Sequence, residues 1–154
     1  MAILVKFNEF NSQLLKGSHQ FNSGGHTFKI ALFKDTETVG TVTSAYTPSL
    51  ADTTYTGIAV YSREVSSGTG YTTGGTTISG QAVTNSGTIG VASFNDVTFT
   101  ASGGDLGPFR YIVIYNATNG LLIGYYDYGM ATTLSTGEDF VVDFDGINGV
   151  LRLG

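Results

Sequence analysis

Four carboxylates lie close together near the C-terminus: Glu138 and Asp139, then Asp143 and Asp145, with Gly146 directly after the last. Acids two positions apart point to the same face of a strand, an arrangement that a hydrolytic pair or a cation loop would use. A calcium loop also needs a third acid and a distal glutamate, which this stretch lacks. A glycosidase pair needs a cleft and one carboxyl held protonated, and neither can be read from the residues. The reading that fits is a solvated polar strand end before a turn. His19 and His26 match no common metal-ligand spacing and read as polar loop residues. No Gly-x-Ser-x-Gly elbow occurs, and no phosphate loop with its lysine. Gly68-Thr-Gly70 does not open a helix, so it makes no dinucleotide site. Asn116-Ala-Thr118 has the form of a glycosylation acceptor but reads more simply as a hairpin turn. Tyr126 and Tyr128 share one strand face and could stack on a sugar or anchor an interface. The expectation is a protein that is not an enzyme, with no catalytic residue, no metal and no cofactor.

The elements that would position these residues are nearly all strands. One helix signal stands at the start, where Asn8 reads as the cap of a helix over 9–16. Glu9 lies in its first turn, Lys16 in its last, and Gly17 is its stop. Phe10 and Leu14 give that helix one apolar face. Residues 26–33 alternate, with Phe28, Ile30 and Leu32 on one side and Lys29 on the other, the pattern of a half-buried strand. Residues 35–56 read as a long loop with one weak strand. Further strands are expected over 57–65, 76–84, 88–94, 97–101, 109–115, 121–128, 140–144 and 150–153. In 109–115 the pattern puts Phe109, Tyr111, Val113 and Tyr115 on one face and Ile112 and Ile114 on the other. Apolar on both sides, it is the candidate for a central, covered strand. Asn116–Gly120 reads as a hairpin connection ending in a left-handed residue. Short strands with regular turn signals predict an all-β fold: a single-domain β-sandwich or jelly-roll-like barrel over residues 1–154, with one short N-terminal helix.

The glycine-rich run Val65–Ile78 is the most distinctive segment, because glycine opens backbone conformations closed to other residues while threonine favours extension. It suits a shaped contact surface better than catalysis. Gly68, Gly70, Tyr71, Gly74 and Gly75, with Tyr126 and Tyr128, are the candidate assembly interface, since loops reach neighbours while strands build scaffold. Only 12% of the 154 residues are charged, against about 25% in ordinary globular chains, so Thr, Ser, Asn and Gly carry solubility. Such a surface packs against neighbours without desolvating many charges. The net charge of −5 and the scatter of the seven basic residues argue against nucleic acid as a partner. With no cysteine, disulfides and thiolate metal sites are excluded. The apolar run Ala2–Val5 is shorter than a signal-peptide core, and nothing approaches a membrane span, so the chain is expected to be soluble and made in a cytoplasm.

The segment Phe7–Phe21 followed by Thr27–Phe33 resembles a small group of virion structural proteins of tailed bacteriophages, encoded among head genes. The likeness continues through Glu64-Val-Ser-Ser-Gly-Thr-Gly-Tyr-Thr-Thr-Gly-Gly75, Val97-Thr-Phe99, Arg110–Tyr115, the Leu122–Gly129 segment and the acidic strand Glu138–Asp145. It covers nearly the whole chain in order. An extra serine in the glycine-rich run and a longer connection at Gly103–Pro108 depart from the pattern. The resemblance implies a structural component of the particle without catalytic activity. A head decoration or cement protein on the capsid surface is the expectation; the alternative is a tail- or fibre-associated adhesion or adaptor protein. It implies the major capsid protein and further copies of this chain as partners, with a trimer expected from family habit and closed symmetry.

Overall fold

The chain's most apolar strand sits at the centre of the fold, and everything else is arranged to cover its two faces. In the computed structural model, which describes residues 2–146 and 149–154, the elements run β1 (Val5–Lys6), α1 (Phe10–Leu15), β2 (Phe28–Phe33), β3 (Thr36–Val39), β4 (Val42–Ala45), α2 (Tyr55–Ile58) and β5 (Thr76–Thr77). There follow β6 (Ala82–Ser86), β7 (Ile89–Ser93), β8 (Val97–Thr100), β9 (Leu106–Asn116), β10 (Leu122–Leu134), β11 (Asp139–Val142) and β12 (Leu151–Leu153). The fold is all-β and sandwich-like. A five-stranded antiparallel sheet has the order β1-β10-β9-β2-β5. A three-stranded sheet, β12-β7-β6, and two ribbons, β11-β8 and β3-β4, complete it.

Alternation in β2 and β9 feeds two separate cores. Phe28, Ile30, Leu32, Ile112 and Ile114 face one side, where Phe10, Phe21, Phe94, Phe99, Val142, Phe144 and Leu151 close over them. Ala31, Phe33, Tyr111, Val113, Tyr115 and Tyr125 face the other, against Phe7, Tyr46 and Ile58. Burying each large apolar side chain contributes about 1.5–3 kcal/mol, so a sheet packed on both faces accounts for much of the fold's stability. The strand over 26–33 is therefore not half-buried as its alternation suggests. Lys29 is the single member of β2 that is not fully buried, because it lies in register with Tyr115 and Thr77 where the edge strand β5 is only two residues long.

Other expectations are corrected by local chemistry. Asn8 does not cap α1: its backbone N–H goes to Leu50 O at 2.9 Å, and Glu9 occupies the cap position with no side-chain cap bond. Gly17 does stop the helix, at φ +77°, with Gly17 N–H donating to Leu14 O and Ser18 N–H to Gln13 O, the paired bonds of a Schellman end. The loop expected over 35–56 contains the hairpin β3–β4, in continuous register from Thr36↔Ala45 to Val39↔Val42. The strand expected over 57–65 gives way to the end of α2 at 57–58, then to turns and an isolated bridge at Glu64; the Thr54 hydroxyl caps α2 by accepting Gly57 N–H at 3.2 Å. Beyond α2, Tyr61 and Ser62 take φ of +54° and +56°, which ends any extended run. The strand over 76–84 is broken into β5 and β6 at Gly80, φ +68°. Phe109 leaves the Tyr111 face and joins the Ile112 core, since β10 bulges between Asp127 and Thr132 opposite Tyr111 and Phe109. Arg110 and Asp127 hold that irregularity through two bonds of 2.8 and 3.0 Å.

Because both faces of the sheet are packed, truncation on either side should be costly. Leu32→Ala in the first core and Leu122→Ala in the second should each lose about 2–5 kcal/mol in urea unfolding. A loss below about 1 kcal/mol for Leu122→Ala would show that the second face is not a true core.

Candidate functional site

The glycine-rich run is folded against the molecule rather than hung from it. Gly68 and Tyr71 exchange both backbone bonds, at 2.9 and 3.0 Å, leaving Thr69 (φ +51°) and Gly70 (φ +93°) at the corners of a tight turn. A second turn closes from Gly75 N–H to Thr72 O at 2.9 Å, with Gly74 at φ +98°. Ser67 Oγ accepts Thr73 N–H at 2.8 Å and braces the two turns together. A Cβ on Gly70 would lie 2.0 Å from Thr100 O, and one on Gly75 would lie 2.1 Å from Ile30 O. Those two glycines allow backbone to pass against backbone. Gly68 and Gly74 have open space around them and are needed for their φ alone.

A carboxylate that the sequence reading passed over holds this run in place. Glu64 is 7% exposed, and its Oε1 accepts Tyr71 O–H at 2.6 Å and Gly74 N–H at 2.7 Å, while Oε2 accepts the hydroxyl of Tyr55. The Tyr71 oxygen in turn accepts Leu32 N–H at 3.0 Å, a group of β2. Tyr115 donates to Gly74 O at 2.6 Å, and its ring stacks on Tyr55 at 4.2 Å. Burial, then the Glu64 carboxylate, pushes the Tyr55 and Tyr71 hydroxyls well above the ordinary phenol range and Tyr115 up to about 12. All three rings therefore remain neutral donors at any ordinary pH. Nothing in the spacing of Tyr55, Glu64 and Tyr71 along the chain announces that they meet.

Of the candidate interface residues, Tyr71 is thus an interior strut. The exposed crest of the run is Ser66, Ser67, Gly68, Gly70, Thr72 and Thr73, uncharged throughout. Tyr126 packs beside Phe144, at 6.3 Å between rings, and is pushed up to about 12 by burial and then by Tyr128. Tyr128 is 37% exposed and lies edge-on to Phe140 at 5.0 Å; burial and then Asp143 raise its pKa. The ribbon β8–β11 connects the two groups. Tyr71 touches Phe99 at 6.0 Å, and Phe99 pairs across the ribbon with Phe140.

The acidic segment divides between tasks. Glu138 Oε2 accepts Ser135 N–H at 2.6 Å to close a turn, and Asp139 accepts the Thr100 hydroxyl at 2.5 Å. Asp143 and Asp145 border a shallow cleft of about 240 Å³ with residues 2–4 and Tyr126. Among the described residues no three His, Cys, Asp or Glu side chains are placed to share a metal ion.

The two histidines do meet, through an asparagine read from sequence only as part of a turn. Asn116 is fully buried, and its side-chain amide nitrogen lies 2.8 Å from His26 Nδ1, 3.2 Å from His19 Nδ1 and 3.2 Å from Ser18 O. With Nδ1 accepting, His19 carries its proton on Nε2 and donates to Gln13 Oε1 at 3.1 Å. This cluster ties the loop after α1 to the β9–β10 turn, helped by Asn119 donating to Ser18 O at 2.7 Å. Burial, and then the neighbouring His26, pushes His19 down to about 4.

Two outcomes follow from these clusters. Tyr71→Phe leaves Leu32 N–H without its acceptor and takes one of two donors from Glu64 Oε1, which keeps Gly74 N–H. It should cost about 1–3 kcal/mol in urea unfolding, whereas Tyr128→Phe should change nothing beyond about 0.5 kcal/mol. For His19, the unfolded ring takes up its proton near pH 6.5 and the folded ring only near about 4. The stability contributed by the neutral ring is complete above about pH 6.5 and is lost as the pH falls towards about 4. The urea midpoint of the native protein should therefore drop more between about pH 7 and pH 5 than that of His19→Leu; equal drops would refute it.

No protein-family model matches the chain, and neither a curated protein nor a solved structure shows significant similarity to it.

Proposed function

We propose that this chain is a virion structural protein of a tailed bacteriophage, a decoration or cement protein that binds the outer surface of the head and stabilises it. The observation that carries this reading is the ordered likeness along nearly the whole chain, set beside where its segments fall. Thr27–Phe33 contributes β2, Arg110–Tyr115 lies in β9, and Leu122–Gly129 opens β10. Glu64–Gly75 is the clasped glycine run with its buried carboxylate. These are the segments on which the interior depends, so the likeness concerns the whole fold rather than one motif.

The surface chemistry supports the same reading. A crest of Ser, Thr and Gly docks without stripping water from charges, and its turns are already fixed by internal bonds, so little conformational entropy is lost on contact. Modest contacts repeated over many copies sum to a firm hold. The acidic balance favours the outer face of a capsid over one lining packaged DNA. On this reading the protein works without catalysis, metal or cofactor. Its partners are the major capsid protein and copies of itself, arranged as a trimer, and it is made in the host cytoplasm. The exposed ring of Tyr128 favours the second reading, a tail- or fibre-associated adhesion or adaptor protein, since such a ring can stack on a glycan.

Heads assembled without the protein should lose their DNA at lower temperature and at higher salt than complete heads, and adding purified protein should restore them. Equal resistance of the two particles would refute cementing. Copy number on a stained gel separates the readings: hundreds per particle accord with the head, a dozen or fewer with the tail.

A further inference from the structure

Edges of sheets invite further strands, and in this molecule they are guarded unequally. The central sheet ends in β1 and β5, each only two residues long. The three-stranded sheet ends instead in β6, five residues whose register with β7 runs without interruption from Ala82↔Ser93 to Ser86↔Ile89. Ala82-Val-Thr-Asn-Ser86 carries no charge, no proline and no bulge, and 83–86 are exposed. Charge, proline and bulge, three of the devices that blunt an edge, are thus absent from β6. β4 is also uncharged and exposed, but it lines neither this molecule's cleft of about 360 Å³ nor that of about 240 Å³.

Beside β6 lies an apolar cleft of about 360 Å³, within the range of sites that take small ligands or side chains. Its floor is the row-by-row face of the same sheet. Val83, Ala92 and Leu151 are cross-strand neighbours, as are Gly90 and Leu153 in the next row on that face. Leu14 and Phe21 also line it, with His19, Gln20 and Asn22, but no acid, lysine or arginine does. Val83, 52% exposed, belongs to both the edge and the cleft.

We propose that the β6 edge and this cleft form one strand-addition site, which takes an extended, uncharged segment of another protein and seats one large apolar side chain of that segment in the cleft. Main-chain groups of the incoming strand pair with β6, and the residue beside Val83 points into the apolar space, the usual division of affinity and specificity in such recognition. The occupant's chemistry follows from the site: extended because the edge offers backbone groups, uncharged because neither edge nor cleft supplies a counter-charge, apolar at one position because the floor is Val, Ala and Leu. The capsid reading would assign that segment to the coat protein, but the inference stands without it.

The probes are short labelled peptides of alternating threonine and valine with a central leucine, and the same peptides with a central aspartate, titrated by fluorescence polarisation. The leucine peptide should bind, and the aspartate peptide should bind about tenfold more weakly or worse, the loss expected for one buried apolar side chain. Val83→Glu at the rim should weaken the leucine peptide by a similar factor with an unchanged melting temperature. Gly90→Leu should do the same by filling the floor; a Cβ there would meet nothing nearer than Leu153 O at 3.9 Å. Amide hydrogen exchange at 82–86 should slow on binding. Should Gly90→Leu fail to fold, the rim variant and the aspartate peptide decide alone. Absence of saturable binding, equal binding by Val83→Glu, or protection at β4 instead would overturn the proposal. So would a concentration-dependent dimer abolished by Val83→Glu, which would assign the edge to a second copy. None of these readouts involves heads, so failure of the cementing experiment leaves this test intact, and the reverse.

Discussion

A carboxylate buried among tyrosines is the constraint around which the upper part of this molecule is organised. Removing Glu64 from water costs several kcal/mol unless every lone pair finds a donor. Here the donors come from both sides of it in the sequence: Tyr55 in α2, and Tyr71 with the backbone of Gly74 in the glycine run. Tyr71 passes the constraint to β2 through Leu32 N–H, and Tyr115 returns it from β9 to Gly74 O while stacking on Tyr55. The circuit is closed, so no member can move without stranding another. A run of glycines and threonines that would be mobile in isolation is thereby given one conformation. The two glycines that touch Thr100 O and Ile30 O allow the run to approach closely enough for the circuit to form.

The same logic separates what could be read from the sequence from what could not. Periodicity is a local property, and where the interior follows it the reading holds: the all-β class, the central position of β9, the hairpin at Asn116–Gly120 and the stop at Gly17. Alternation reports which residues share a face but not whether the second face is covered, so β2 read as half-buried. The second cover is made by Tyr46, from a stretch whose Thr, Ser and Pro content looks like loop, and by Ile58, from one that reads as a strand. The clusters were illegible for a related reason. Glu64 meets Tyr71 across seven positions through a turn, and Asn116 meets His19 across 97, so no spacing rule reports either. Tyr71 counts among the interface candidates because it lies in the glycine-rich loop, but its ring is buried and its hydroxyl is bound to Glu64.

Asn116 gathers a second clasp, one residue beyond Tyr115 on β9, and His19 is one of its members. Its amide offers two hydrogens to three acceptors, two of them imidazole nitrogens that must stay unprotonated to accept. The phenols around Glu64 stay neutral across any ordinary range, whereas His19 changes role once acid reaches it. The two clasps reach β9 at the neighbouring residues Tyr115 and Asn116, so both bear on the same end of that strand. Protonation of His19 in acid weakens the anchoring of the loop after α1 and of the part of the cleft lining it carries.

Low charge is what links these interior clasps to the outer surface. A chain with 12% charged residues cannot rely on ion pairs to select among compact states. Hydrogen-bonded clusters with fixed geometry take over that task, since a misplaced strand would bury an unsatisfied carboxylate or amide. The same economy of charge leaves an exterior of hydroxyls and backbone, with an unguarded edge at β6 and an apolar cleft beside it. A free monomer carrying such an edge at high concentration risks pairing with its own kind. That risk is tolerable where the edge is covered soon after synthesis, as it would be in a protein that assembles onto a particle. The ion pairs Glu37–Arg63 and Asp127–Arg110 lie away from β6, whose five residues carry no charge, so on the proposed reading that edge is left open to a partner strand.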